Sequence, residues 1–172
     1  GASGLVDFSS GVNVLAPNLN WHAVPIKEYL HNALNLPAVV DNNVRAMALG
    51  ETHFGSGQGV NSLVFVYGRI GVGAGLTFKG DVYRGSAMGA GEIGHTIMLL
   101  NGGEPCRCGN SGCLETLVSE VAILRQADSI AKHHPDGILA RTMQERQELD
   151  PIERVFTAAR LGDEATHSML TE

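Results

Sequence analysis

The chain has 172 residues, of which 44% are hydrophobic and 17% charged, and its formal net charge is −6. That length allows one domain or part of a two-lobed one, and the composition is that of a globular protein. The acidic balance and scattered basic residues exclude a segment that embraces a nucleic-acid backbone. No apolar run approaches the ~18–20 residues of a membrane span, and nothing at the start has the basic and apolar regions of a signal peptide. A cytoplasmic protein without membrane attachment is expected. The opening GASGLVDF reads as the middle of a fold, and the helix-like stretch from Asp163 to Glu172 stops abruptly. The sequence is therefore expected to be a fragment of a longer protein.

Val24 to Leu34 is predicted as a helix, with Val24, Ile26, Tyr29 or Leu30 and Leu34 near one side and Pro25 in its first turn. Pro37 to Val40 reads as a short strand ending in Asp41-Asn42-Asn43, polar residues suited to open the next helix, Val44 to Phe54. Ser62 to Tyr67 (SLVFVY) reads as a buried strand. A glycine-rich turn and a second strand, Gly75 to Phe78, lead to Lys79-Gly80-Asp81, a hairpin turn. Thr96 to Leu100 is strand-like, and Leu114 to His133 has the helical spacing of Leu117, Val118, Val121, Ile123 and Leu124. The last forty residues read as mostly helical and carry no motif. Strands alternating with helices indicate the α/β class.

All three cysteines fall within eight residues, CRCGNSGC, as Cys106, Cys108 and Cys113, and His95 stands eleven residues before the first. In a chain with no sign of secretion, clustered cysteines point to metal rather than disulfides. Three thiolates and one imidazole complete a tetrahedral Cys₃His set, a closed structural arrangement for Zn²⁺. Free thiols, a cysteine-only site and iron–sulfur ligation are the alternatives. Gly102, Gly103, Gly109 and Gly112 let the loop turn tightly enough for the sulfurs to converge. Four protein ligands leave no open position, so such a metal supplies shape rather than chemistry.

The stretch Gly89 to Glu115, GAGEIGHTIMLLNGGEPCRCGNSGCLE, resembles the signature of the ROK family of bacterial repressors and sugar kinases. APNLNW at Ala16 to Trp21, DNNVRAMALGE at Asp41 to Glu51 and GVGAG at Gly71 to Gly75 follow the family's order and spacing, so the likeness is strong over about residues 1 to 120. The resemblance implies an actin-like ATPase (ribonuclease H-like) fold, partial here, with two α/β lobes and a sugar in the cleft between them. On that basis residues 1–53 end the N-terminal lobe and residues 54–172 form the C-terminal lobe with its zinc loop, incomplete at the C-terminus. The family's phosphate-binding strand pair, its second glycine-rich nucleotide motif and the winged helix-turn-helix of its repressors are expected outside this segment.

The same resemblance carries sugar hydroxyls onto Asn42, Asn43, Glu92, His95 and Glu115, and a phosphate loop onto Gly71, Gly73 and Gly75. His95 would place one ring nitrogen on zinc and offer the other to a hydroxyl, which fixes its tautomer. Carboxylates and amides suit a ring of hydroxyls that both donate and accept. Taken singly, Glu92 is as readily a turn residue and Glu115 a favourable charge at a helix start. Asn18 and Trp21 are further candidates for the cleft, with a core tryptophan the alternative.

Kinase members carry Asp directly after the conserved Asn as general base, and here that position is Asn43. An amide cannot accept the proton, and losing a general base costs ~10²–10⁴-fold in rate. Aligning Gly71-Val72-Gly73 puts Arg69 and Ile70 where the kinases have Gly and Thr. Ile70 offers no hydroxyl, while Arg69 could pair with a phosphate. Asp41 would lie ~6–7 Å along an extended chain from the base position and is read as a capping or packing residue. The expectation is the sugar-sensing domain of a repressor that binds a sugar or sugar phosphate without phosphorylating it. Such a protein would be a homodimer and bind DNA through a winged helix-turn-helix outside this segment. The alternative is a sugar kinase using ATP and Mg²⁺.

Overall fold

The computed structural model describes residues 1–171 and divides into two compact units. The first comprises Gly1–Tyr67 and Val72–Leu114; the second comprises Gly68–Gly71 and the chain from Glu115 onward.

The first unit opens with an antiparallel meander of β1 (Leu5–Asp7), β2 (Val12–Ala16) and β3 (Trp21–Val24). Asp7 shapes the first turn: Oδ1 accepts the Ser9 hydroxyl at 2.7 Å, and Oδ2 accepts that of Ser10 at 2.7 Å. These bonds hold the Asp7 carboxyl below its ordinary range. Helix α1 (Ile26–Leu34) begins after Val24 rather than at it, because Val24 still pairs with Asn13 and Pro25 takes the N-cap. Its apolar stripe is left uncovered, with Tyr29 and Leu34 both 61% exposed.

Pro37 to Val40 is not a strand. A strand exists by pairing its backbone with a neighbour, and the nearest pairing lies just beyond this stretch, where Asn42 is bridged by Ala2. The Ala2 N–H donates to Asp41 O, and its O accepts from Asn43 N–H, each at 2.9 Å. Helix α2 (Asn43–Phe54) follows as predicted, capped by Asn42, whose Oδ1 accepts from Val44 N–H at 2.8 Å and Arg45 N–H at 3.2 Å.

β4 (Ser62–Gly68), β5 (Val72–Phe78) and β6 (Asp81–Tyr83) form the second sheet in that order. β4 alternates instead of being buried throughout: Leu63, Phe65 and Tyr67 are half-covered, while Val64 and Val66 point outward. The β5–β6 hairpin turns on Lys79-Gly80, with φ of 52° and 90°, the positive pair a two-residue type I′ turn requires. α2 lies directly on β5. A Cβ on Gly75 would run into Ala48 Cβ and come within 2.8 Å of Val44 O, so only glycine admits this approach. Thr52 and Thr77 seal the contact through a buried hydroxyl pair at 2.8 Å. Thr96 to Leu100 is not a strand either; it makes a single bridge, Ile97 to Cys113.

In the second unit the predicted helix Leu114 to His133 splits into α3 (Glu115–Val118) and α4 (Glu120–His133). The break is at Ser119, whose hydroxyl accepts from Ala122 N–H at 3.3 Å and so caps α4. α5 (Ile138–Glu145), α6 (Pro151–Arg160) and α7 (Glu164–Thr171) complete it around Ala127, Leu139, Val155 and Ala158. Asp163 ties two helix starts together. Oδ1 accepts Thr166 N–H at 2.9 Å and its hydroxyl at 2.7 Å, while Oδ2 accepts Leu139 N–H at 3.1 Å. No helix among the described residues is long and apolar enough to cross a membrane.

Candidate functional site

A 3₁₀ turn, Ile93–His95, delivers the histidine, and a knuckle between Glu104 and Cys113 delivers the thiols. Cys106 N–H donates to Asn110 O at 2.7 Å, Gly109 N–H to Cys106 O at 3.0 Å and Gly112 N–H to Glu104 O at 2.9 Å. Gly112 is obligatory: its φ is 73°, and a Cβ there would run into the Leu99 carbonyl. His95 Nδ1 lies 3.6 Å from Cys106 Sγ, and Cys108 Sγ lies 3.7 Å from Cys113 Sγ. All four ligand atoms fall within 4.8 Å of one another. Bond lengths of ~2.3 Å to sulfur and ~2.05 Å to nitrogen make the edges of a zinc tetrahedron about 3.8 Å for S···S and about 3.6 Å for S···N. The His95–Cys106 and Cys108–Cys113 separations are those of such edges, and the four atoms gathered within 4.8 Å could hold a metal ion.

Burial sets the thiols' tendency to ionise. Burial pushes Cys113 up to about 12, and the adjacent Cys106 and Cys108 thiols add to the rise. Burial also raises Cys106. Burial opposes ionisation of Cys108 as well, yet bonding from Asn110 N–H and the two neighbouring thiols holds it below the usual value. Three such thiols do not ionise together without a positive charge among them, so metal binding here displaces protons.

Glu92 immediately precedes the 3₁₀ turn, and His95 N–H donates to Glu92 O at 3.1 Å. Glu92 and His95 are both half-buried. With Nδ1 toward the sulfurs, Nε2 is the ring nitrogen left for another partner.

Asn42 is 7% exposed. Its Oδ1 is spent on the α2 cap, and its Nδ2 donates to Gly4 O at 3.0 Å, leaving one amide N–H. Asn43, the first residue of α2, is half-buried, and no described residue bonds its amide. Asp41 is committed on both oxygens: Oδ1 to Asn42 N–H at 2.8 Å and Arg45 Nη1 at 3.4 Å, Oδ2 to Arg84 at 2.9 Å.

Of the three loop glycines, Gly71 sits in the β4–β5 turn and Gly73 and Gly75 lie within β5. Glu115 opens α3 in the second unit, where its Oε2 lies so close over Gly71 that a Cβ there would come within 2.9 Å. Ile70 is exposed, and Arg69 pairs with Glu120 at 3.4 Å. Asn18 is exposed and bonds Ser3 Oγ at 3.1 Å, and Trp21 is a surface residue of β3 rather than a core one.

Sequence reasoning missed Arg45 and Arg84. The signal for the first was the i, i+4 spacing of Asp41 and Arg45, which brings opposite charges together at a helix start; Arg84 had none.

The ROK family model matches residues 1–172. The chain is 36% identical over 163 residues to a glucokinase of Halalkalibacterium halodurans, covering 95% of this chain and 49% of that protein. It is also 36% identical over 174 residues to a xylose repressor of Caldicellulosiruptor bescii, covering 100% of this chain and 42% of that protein. A ROK family glucokinase from Streptomyces griseus, solved in complex with glucose and AMPPNP, superposes with a TM-score of 0.85 at 31% identity, covering 98% of this chain and 55% of that one. The chain thus spans about half the length of the relatives it matches.

Proposed function

The chain belongs to the ROK family, and from that premise we propose that it is the sugar-sensing part of a transcriptional repressor. Its α/β structure is part of the actin-like ATPase fold of that family. One observation carries the choice of repressor over kinase. At the position where the kinases' resemblance requires a carboxylate base stands Asn43, and the neighbouring carboxylate, Asp41, is held by two guanidinium groups. An amide can still hydrogen-bond a sugar hydroxyl, so recognition survives while phosphoryl transfer loses ~10²–10⁴-fold.

In this reading Asn43, Glu92, His95 and Glu115 bond sugar hydroxyls, and Asn42 holds the turn that presents Asn43 while offering its one free N–H. Zn²⁺ on His95, Cys106, Cys108 and Cys113 fixes the His95 ring, so that Nε2 faces the sugar. Residues 1–53 close the first lobe and residues 54–172 begin the second. The sugar or sugar phosphate must bind one conformation of the protein better than another, and that difference repositions winged helix-turn-helix domains of a cytoplasmic homodimer on DNA.

A second reading, an ATP- and Mg²⁺-dependent sugar kinase with Gly71, Gly73 and Gly75 near the phosphates, is favoured by the glucokinase relative that matches nearly the whole chain. Calorimetric titration of the full-length protein with a panel of sugars and sugar phosphates, repeated with Mg-ATP in a coupled assay, separates the two. Saturable binding without ADP release is the expected result. Turnover at ~1–100 s⁻¹ would establish the kinase and refute the repressor reading.

A further inference from the structure

Between β6 and the Glu92 turn runs a loop, residues 84–90, whose backbone is under strain: Met88, not a glycine, has φ of 59°. Such a conformation persists only where its surroundings impose it, and here they do so at both ends. At the start of the loop Arg84 donates to Asp41 Oδ2 and lies over the Phe8 ring at 3.7 Å from its centroid. At its end Arg45, only 1% exposed, donates from Nε and Nη2 to Ala90 O at 3.3 and 3.2 Å, and from Nη2 to Met88 O. The remaining nitrogen of Arg45 meets Asp41 Oδ1. One carboxylate and two guanidinium groups therefore fasten this loop to the segment that bears Asn42 and Asn43. Immediately beyond the clamp, Gly91 O accepts Ala74 N–H at 2.7 Å, and Glu92 and His95 follow.

We infer that Arg45 is a positioning residue of the proposed sugar site, setting the placement of Glu92 relative to the Asn42–Asn43 turn through the Asp41–Arg84 clamp. The inference rests on the sugar reading given above and adds to it a residue that touches no ligand. A guanidinium is needed because its planar fork serves acceptors on three residues at once; a lysine ammonium is a single point charge that keeps the pairing with Asp41 but cannot hold both carbonyls.

The test uses the full-length protein with D-glucose and D-xylose as probes, comparing wild type, Arg45→Lys, Glu92→Gln and the double variant. Arg45→Lys is expected to keep its metal content and cooperative unfolding. Its amide exchange over residues 85–92 should accelerate at least ~10-fold, and its sugar affinity should fall ~10–100-fold, the scale on which loss of an orienting partner acts. In the Glu92→Gln background the further loss from Arg45→Lys should shrink below about threefold, because both act through one contact. Unchanged exchange at 85–92, unchanged affinity or fully additive losses would overturn the inference. If Arg45→Lys does not fold, Arg84→Met at the partly exposed end of the clamp must show the same acceleration and weakening. If wild type binds neither sugar, the sensor reading fails by itself, and the exchange data still decide whether the clamp exists.

Discussion

Three glycine-to-alanine substitutions test the α2–β5 packing, because the structure gives them different signs. At Gly75 the added methyl would overlap Ala48 Cβ and approach the Val44 carbonyl to 2.8 Å. Both obstacles belong to the fixed part of a helix, so no rotamer change relieves them, and the whole of α2 must retreat. Overpacking costs about 1–3 kcal/mol, and backbone obstacles place Gly75→Ala near the upper end, about 3 kcal/mol. Gly50, on the same helix, has nothing within 4 Å of its would-be Cβ. There alanine relieves the entropic penalty of a mid-helix glycine and stabilises by about 0.5–1 kcal/mol. Gly59 is equally open but has φ of 78°, so alanine there costs about 1–2 kcal/mol through conformation alone. Urea denaturation of the three variants of the full-length protein, followed by circular dichroism, reads all three. A neutral or stabilising Gly75→Ala would refute close helix-on-strand packing, and with it the explanation of why β5 carries glycine at position 75.

Cys113→Ser should remove stoichiometric metal, read by elemental analysis, and expose the 96–113 loop to limited proteolysis. Ser119→Ala removes the α4 cap and should cost about 1 kcal/mol in urea unfolding, with the α3–α4 break retained. Asp163→Asn should cost about 2 kcal/mol at pH 7, since the amide cannot accept from both Thr166 and Leu139. Burial works to raise the Asp163 carboxyl, but the bonds from Thr166 and Leu139 N–H outweigh it, so its folded value is depressed. The carboxylate's stabilisation is therefore complete above about pH 4, where the unfolded group titrates, and is lost as pH falls through the folded value. The Asn variant's deficit should accordingly narrow in unfolding curves taken near pH 3.

The elements legible in the sequence were those whose signals are local. The Asn42 cap, the Lys79-Gly80 turn and the thiol knuckle each depend on residues within a few positions of one another. The errors fell where structure depends on a distant partner. Pro37 to Val40 and Thr96 to Leu100 have strand-like composition, but the first finds its nearest bridge only beyond its end, at Asn42, and the second makes a one-residue bridge at Ile97. Ser119 sat inside an unbroken helical period, and only its hydroxyl bond to Ala122 reveals the break. The site divided in the same way: the four residues that could hold a metal were legible from spacing, whereas the Asp41–Arg45–Arg84 clamp joins residues up to 43 positions apart. Alternating burial on β4 was hidden because both of its faces are apolar.

The competing kinase reading needs a carboxylate to replace the one absent at Asn43, and Asp41 is the nearest in sequence. Its geometry counts against that role. Each oxygen already accepts from a guanidinium, and Oδ1 also takes the Asn42 N–H at 2.8 Å. To reach a sugar hydroxyl the side chain must leave Arg45, whose charge is almost fully buried, without its counter-ion. Breaking such a buried pair costs about 3–5 kcal/mol, which subtracts a further ~10²–10³-fold or more from any rate it could support. If the loop leading to Glu92 is positioned as proposed, movement of Asp41 would also release it and disturb the recognition that a kinase reaction requires. In the proposed reading, the substitution at Asn43 and the clamp on Asp41 therefore act together: the turn would still recognise a sugar, while neither residue would take its proton.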